Sequence, residues 1–387
     1  MSSYKKIKRI DDESIRHRIS ERLLALRQQL SDEIPEKTAT RTLLLATWNI
    51  REFGENRSDE SCYYIAEIID HFDIVVIQEV NSKALGGLES VLAILGDNWA
   101  YVLSDGVEGT AGGNEAMAFV YNTNKVKFTG MAGEIVLPET KLMNGVQFAR
   151  TPYLASFRAG WFDFKLCTVH IYYGSEKNSE GLIQRRLDEI KTVSDFLLKR
   201  QKTDDITYIL LGDFNIPDIG GEYFNALVED RTVTAGGKVK TTQKFFIPEE
   251  IRKHPTDLGQ VSHYDQIAFS LKMEKSMVLF DDEEQKAGAF NFTKTVYTPE
   301  DWPVYYPFYQ EAYDAALKKE NEKNARKEAD YQEKLAKGEK ARQPKLSHTT
   351  EADHFKTWKT YQMSDHLPLW VELKIDFSDQ YLKTHTK

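Results

Sequence analysis

The run Ile206-Thr207-Tyr208-Ile209-Leu210-Leu211 leads straight into Gly212-Asp213-Phe214-Asn215. A short apolar run rich in strand formers, closed by a Gly-Asp pair, reads as a buried β-strand that ends at a turn. Period-two alternation would set Asp213 and Asn215 on one side and Phe214 on the other. A carboxylate beside a carboxamide at a strand end can hold a water or a phosphate oxygen. Gly-Asp is also ordinary turn chemistry, so the pair gains meaning only from what recurs elsewhere in the chain.

The same arrangement does recur. Apolar strand candidates are Leu43–Trp48, Ile74–Gln78, Met117–Tyr121, Tyr153–Phe157, Phe164–Val169, Gln266–Phe269 and Leu369–Leu373. Helical patterns fit at 58–70, 82–96 and 180–200. Several strands are continuous apolar runs and others alternate, which suggests a mixed sheet system with helices outside. Polar residues stand where these strands begin or end. Asn49 follows Trp48, Glu79 follows Gln78, and His170 follows Val169. Asp265 precedes Gln266, and Asp365 and His366 precede Leu367. Ligands gather at strand ends in α/β proteins, so these groups can converge on one cleft.

Such a set would support metal-assisted phosphoester hydrolysis. Glu79 with an Asp can hold Mg²⁺ through oxygen and leave positions for water and phosphate. One histidine can take a proton from water while the other polarises a phosphate oxygen or protonates a leaving group. A carboxylate beside each imidazole fixes its tautomer and raises its pKa.

Composition narrows the partners. The 387 residues are 41% hydrophobic and 12% aromatic, enough for a sizeable core. A net charge of -9 and a pI near 5.6 argue against a uniformly basic nucleic-acid binder. An acidic protein still binds phosphate locally through a divalent cation or a few Arg and Lys in one cleft. Cys62 and Cys167 are too few for a disulfide scaffold and lack zinc-type spacing; both are expected to be free thiols. The basic stretch Met1–Ile10 is not followed by an apolar segment, so no secretory signal is read and the cytoplasm is the default location. No apolar run is long enough to span a membrane.

Two segments stand apart. In residues 1–40, Ser14 is the expected cap of a helix whose stripe is Ile15, Ile19, Leu23, Leu26 and Leu30, with a linker from Pro35. Residues 311–345 hold ten Lys or Arg and eight Asp or Glu. This reads as a long solvated helix or helical hairpin with many i,i+4 pairs. Its functional alternative is a surface for a protein partner or a substrate.

Several segments resemble the endonuclease/exonuclease/phosphatase superfamily, and within it deoxyribonuclease I. They are Ala46–Gly54 (ATWNIREFG), Phe72–Val80 (FDIVVIQEV), Asn114–Tyr121 with Asn124–Val126, Phe148–Pro152 (FARTP), Val169-His170, Leu211–Asn215 (LGDFN), Tyr264–Ile267 (YDQI) and Ser364–Pro368 (SDHLP). They follow the family's order across 42–373. The resemblance implies an α/β, four-layer αββα sandwich of two packed mixed β-sheets flanked by helices. It places a catalytic domain at 41–375, interrupted by a charged helical insertion at 306–349, with an N-terminal helical extension at 1–40 and a tail at 376–387.

The resemblance also implies roles. Glu79 would be the principal Mg²⁺ ligand, with Asn49 and Asp365. His366 would be oriented by Asp265, and His170 would pair with Glu115. Asp213 and Asn215 would position the scissile phosphate, the metal or the attacking water. Arg150 would neutralise a phosphate oxygen, and Arg51 matches an arginine that enters the minor groove. Mn²⁺ would substitute for Mg²⁺, and Ca²⁺ is a further candidate as a structural or synergistic ion. The implied activity is a metal-dependent DNA nuclease. The alternative is a phosphatase or phosphodiesterase of the same fold acting on a phospholipid or a small phosphorylated molecule. A catalytically dead scaffold is disfavoured because every expected catalytic residue is present. Two positions depart from the family: Gly113, in the Thr110–Asn114 loop, replaces a groove-inserting tyrosine, and Asn81 replaces a second arginine. Both weaken the expectation of groove insertion.

Overall fold

The computed structural model describes residues 3–107, 113–174, 179–204, 206–228, 231–235, 238–242, 245–270 and 286–386. Its strands are β1 (Thr42–Phe53), β2 (Ile74–Asn81), β3 (Trp99–Leu103), β4 (Glu115–Asn122), β5 (Val126–Glu134), β6 (Tyr153–Ala159) and β7 (Phe162–His170). There follow β8 (Thr207–Asp213), β9 (Arg231–Ala235), β10 (Lys238–Thr242), β11 (Phe245–Phe246), β12 (Asp265–Ser270), β13 (Ala287–Ala289) and β14 (Leu369–Lys374). The helices are α1 (Glu13–Glu33), α2 (Asp59–Asp70), α3 (Gly86–Leu95), α4 (Ser179–Gln201), α5 (Glu222–Val228), α6 (Glu249–Arg252), α7 (Trp302–Ala336), α8 (Glu351–Gln362) and α9 (Ser378–Thr384).

Two six-stranded sheets run β13-β14-β1-β2-β4-β3 and β11-β12-β8-β7-β6-β5, and β9–β10 is a separate ribbon. Each large sheet is mixed, with one parallel pair, β1–β2 in the first and β7–β8 in the second. Helices flank the sheets: α2 and α3 pack on each other, and α4 lies against β8. This is the expected four-layer α/β sandwich.

The core between the sheets is aromatic. Phe119 of β4 meets Phe157 of β6 edge-on with ring centroids 5.5 Å apart, and Phe157 stacks on Phe164 at 6.0 Å. Large rings of this kind bury much apolar area per residue and hold the facing sheets in register. Cys62 and Cys167 are buried free thiols, as expected.

Local chemistry moved several boundaries. Strand β8 does not stop at Leu211; it runs on through Gly212 to Asp213, because Gly212 pairs with Gln266 and Asp213 with Asp265 on β12. Gly212 has φ 130°, and a Cβ there would lie 2.2 Å from the Val169 carbonyl oxygen, so glycine lets β8 press against β7. Helix α3 starts at Gly86 rather than 82, because Asn81 accepts from the Lys83 amide through its side chain and from the Ala84 amide through its carbonyl. That Asx turn competes with helix. At α1 the cap is Asp12 and not Ser14: the Asp12 carboxylate accepts from the Ser14 and Ile15 amides, and the Ser14 hydroxyl donates to it. Of the expected stripe, Ile19, Leu23, Leu26 and Leu30 are buried and Ile15 is half-buried. Arg18 of α1 pairs with Glu60 of α2, and Arg27 with Glu67.

The chain divides into two compact units, one of Met1–Phe292 with Met363–Lys387 and one of Thr293–Gln362. In the second unit α7 and α8 pack through Tyr305, Tyr309, Phe355 and Trp358. The segment after α7 returns along it: Asn324 exchanges hydrogen bonds with Ser347, and Glu320 accepts from Thr349. Lys334 pairs with Asp330 at i,i+4 spacing.

Candidate active site

Strand register places three of the chemical groups side by side. On β7 and β8, His170 lies opposite Asp213. On β8 and β12, Asp213 lies opposite Asp265. Three neighbouring strands of one sheet therefore present an imidazole and two carboxylates at the same level. The first sheet contributes Asn49 at the register position of Gln78 on β1–β2. His366 comes from the segment before β14, which is tied to β1 by two bonds. The Trp48 indole donates to the His366 carbonyl at 2.9 Å, and the Ser364 hydroxyl donates to the Asn49 carbonyl. The Ser364 oxygen also accepts from the His366 amide at 2.9 Å.

Asp213 is the centre of the arrangement and is 2% exposed. Its Oδ2 lies 3.6 Å from His170 Nε2 and 3.9 Å from His366 Nε2. The same oxygen accepts from the Asn49 amide at 3.0 Å. Its Oδ1 accepts from the Asn215 backbone N–H at 2.8 Å.

Each imidazole has a carboxylate on its far nitrogen. His366 Nδ1 and Asp265 Oδ2 form a buried hydrogen bond of 2.7 Å. His170 Nδ1 stands 3.0 Å from Glu115 Oε2, close but off the axis of a full hydrogen bond. Glu115 is shared: Arg150 grips it with Nε and a terminal nitrogen at 2.8 and 2.9 Å. Burial opposes a charge on His170, but Glu115 and Asp213 outweigh both burial and the nearby Arg150, so its pKa lies above the ordinary value. Burial also opposes a charge on His366, yet Asp265 and Asp213 lift it well above the ordinary value. Burial would raise Glu115, but His170 and Arg150 hold it at about 2.

Glu79 sits beside this group. Its Oε1 accepts from the Asn49 amide at 2.9 Å, so one amide nitrogen bridges Glu79 and Asp213. Its Oε2 accepts from the Glu52 backbone N–H at 2.9 Å. Glu79 has φ 61°, Asn215 54° and Glu52 44°, a region uncommon for residues with a Cβ. The register slips on both sides of Glu79, between Ile77 and Val80 on β2 and between Asn49 and Phe53 on β1. Such bulges re-aim a side chain next to a site.

The donor set fits a cation. Asn49 Oδ1 is buried and has no hydrogen-bond partner among the described residues. With the Glu79 carboxylate it offers the oxygen ligands that a hard divalent ion takes. Asp213, Asp265 and His366 form a second group, whose ligand atoms lie within 4.8 Å of one another.

Asp365 pairs at 3.4 Å with Arg51, itself an expected phosphate contact. The Asn215 amide nitrogen donates to the Ile171 carbonyl at 2.8 Å, and positive φ at Asn215 ends the strand alternation that would have set it beside Asp213. Residues 110–112 of the Thr110–Asn114 loop lie outside the described residues. Sequence reasoning passed over Glu52, whose contribution is a backbone N–H, and Gln78, which donates to Thr47 at 3.1 Å and Thr168 at 3.0 Å beneath the site. A glutamine inside an apolar run was the available signal for the second.

By its ordered motifs and its two mixed sheets flanked by helices, the chain resembles the endonuclease/exonuclease/phosphatase superfamily. Its similarity to curated proteins is distant and partial. It is 26% identical to deoxyribonuclease-1 of Rattus norvegicus over 187 residues, covering 45% of this chain and 60% of that protein. With deoxyribonuclease-1 of Equus caballus it shares 26% over 187 residues, covering 45% and 61%. The chain thus spans about three fifths of the length of the curated relatives it matches. An endonuclease/exonuclease/phosphatase family protein of Bacteroides thetaiotaomicron superposes with a TM-score of 0.45 at 17% identity, covering 87% of this chain and 95% of that one. No family model matches. Among the described residues no helix is long and apolar enough to cross a membrane.

Proposed function

We propose that this protein is a metal-dependent phosphodiesterase that hydrolyses DNA, with water attacking phosphorus between two histidines. The observation that carries the reading is the pair of imidazoles whose Nε2 atoms both face Asp213 Oδ2, at 3.6 and 3.9 Å, each backed by a carboxylate at Nδ1. A phosphoester needs a proton removed from the nucleophile and one delivered to the leaving oxygen, and paired histidines do both. Asp213 holds the two imidazoles towards one point and aligns the water there. Arg150, charged and fixed by Glu115, would neutralise a phosphoryl oxygen. Glu79 and Asn49 would hold Mg²⁺, or Mn²⁺ in its place, and the bound ion would supply Lewis-acid polarisation of a phosphoryl oxygen. DNA as substrate is supported by the partial similarity to deoxyribonuclease-1.

One observation favours a second reading. Asn81 and Gly113 stand where a groove-inserting arginine and tyrosine are expected, and Asn81 is engaged in its own turn. A phosphatase or phosphodiesterase acting on a small phosphorylated molecule or phospholipid needs neither.

The test is direct. Supercoiled plasmid, single-stranded DNA, RNA and bis-p-nitrophenyl phosphate are incubated with the protein and Mg²⁺, with and without EDTA. EDTA-sensitive cleavage of DNA is the expected result. Turnover of the small diester alone favours the second reading, and hydrolysis of no substrate overturns both.

A further inference from the structure

Helix α4 carries a carboxylate that the chemistry above does not use. Glu189 is 0% exposed. A carboxylate without water has to be matched by donors, and here its two oxygens go to two different loops. Oε1 accepts from the Ala149 backbone N–H at 3.0 Å, and Oε2 accepts from the Tyr172 backbone N–H at 3.1 Å. Arg185, one turn earlier, adds a bond from Nε to Oε1 at 3.2 Å. The adjacent Arg186 supplies the complement. It donates from Nε to the Tyr172 carbonyl at 3.2 Å and from a terminal nitrogen to the Asn215 carbonyl at 2.9 Å.

All three tethered points lie within two residues of a reacting group. Ala149 precedes Arg150, Tyr172 follows His170 by two, and Asn215 follows Asp213 by two. A buried acid kept only for packing has no reason to choose those amides. An apolar side chain of the same volume would fill the space without the desolvation cost of a charge. We propose that Glu189, assisted by Arg186, is a positioning residue that holds the Arg150 loop and the His170 loop in one fixed relation. Its catalytic consequence rests on the phosphodiesterase reading, while the tether rests on the hydrogen bonds alone.

Two readouts test it separately. The first is amide hydrogen exchange in Glu189→Ala. Exchange should accelerate at Ala149 and Tyr172 together, with the β4 and β8 amides unchanged. Uniform acceleration across the domain, or none at these two amides, overturns the tether. The second is a double-mutant cycle with Arg150→Ala on bis-p-nitrophenyl phosphate. Displacing an aligned group by an ångström costs up to ~10²-fold, so Glu189→Ala should lower kcat by about 10- to 100-fold. The double variant should lose clearly less than the two single losses combined, because part of the Glu189 effect acts through Arg150 and the rest through the His170 loop. Fully additive losses overturn the positioning role. Glu189→Gln keeps one acceptor oxygen and should fall between wild type and Glu189→Ala in both readouts; it also carries both tests if the alanine variant does not fold. If the wild-type protein hydrolyses no phosphodiester, the functional reading fails and the exchange measurement still decides the tether.

Discussion

The two histidine–carboxylate pairs look equivalent on paper and differ in the folded chain. His366 has Asp265 to itself, aligned at 2.7 Å in a sealed setting. His170 shares Glu115 with Arg150, and its approach at 3.0 Å is off-axis. The same type of pair is therefore tuned in one direction to different degrees. A dedicated, buried counter-charge holds the proton on His366 firmly. A shared one, opposed by a guanidinium, holds it on His170 less firmly. The difference lies in who else touches the carboxylate.

The largest effects should come from breaking the pairs outright. His366→Ala and His170→Ala should each lower the hydrolysis rate by ~10²-fold or more. The carboxylates then sharpen the contrast. Asp265→Asn removes the buried charge that backs His366 at Nδ1 and should cost about 10²-fold, the low end of lost general acid–base catalysis, whereas Glu115→Gln should cost about tenfold, less than that range. A Glu115 loss equal to the Asp265 loss would break the comparison.

Smaller effects follow from Arg150. Arg150→Met removes the positive charge that works against protonation of His170. NMR titration should show His170 losing its proton at higher pH than in wild type, with His366 unmoved. In the wild-type apoprotein His170 should deprotonate first as pH rises. Both imidazoles lie above their ordinary value, so their contribution to stability is complete below about pH 6.5 and is lost as pH rises through the raised values. Deprotonation of His366 before His170 would contradict the tuning described here.

The smallest effect concerns Glu115 itself. Its pKa is held at about 2, below the ordinary 4.5. Its contribution to stability is therefore present above pH 4.5 and disappears as pH falls through about 2. Thermal melts of wild type and Glu115→Gln should differ at pH 6 and converge near pH 2. A constant offset down to the lowest pH would show that Glu115 is not held ionised by its partners.

Much of the fold was legible because buried strands write long apolar runs. Leu43–Trp48, Ile74–Gln78 and Phe164–Val169 all lie inside the strands they announced. What was not legible had no such run. Strand β5, Val126–Glu134, is mostly exposed and contains Gly130 and Gly133, and β3 follows directly on an apolar helix. The bulges that turn Glu79 inward need positive φ at Glu52 and Glu79, which glutamate does not advertise. In the candidate site, the groups that meet through side chains were readable from strand ends. Groups that act through backbone amides were not: Glu189 binds two N–H groups, and Glu52 offers one. Any residue has an amide, so no residue type marks its partner.

The central claim is that the two imidazoles flanking Asp213 carry out metal-dependent phosphodiester hydrolysis. It is tested most directly by the rate of Mg²⁺-dependent bis-p-nitrophenyl phosphate and plasmid cleavage, measured side by side for wild type, His170→Ala and His366→Ala, with circular dichroism as the folding control. EDTA-sensitive turnover by wild type and a loss of ~10²-fold or more in each variant, with unchanged spectra, is the predicted result. Near-wild-type rates in both variants, or turnover untouched by EDTA, would contradict it.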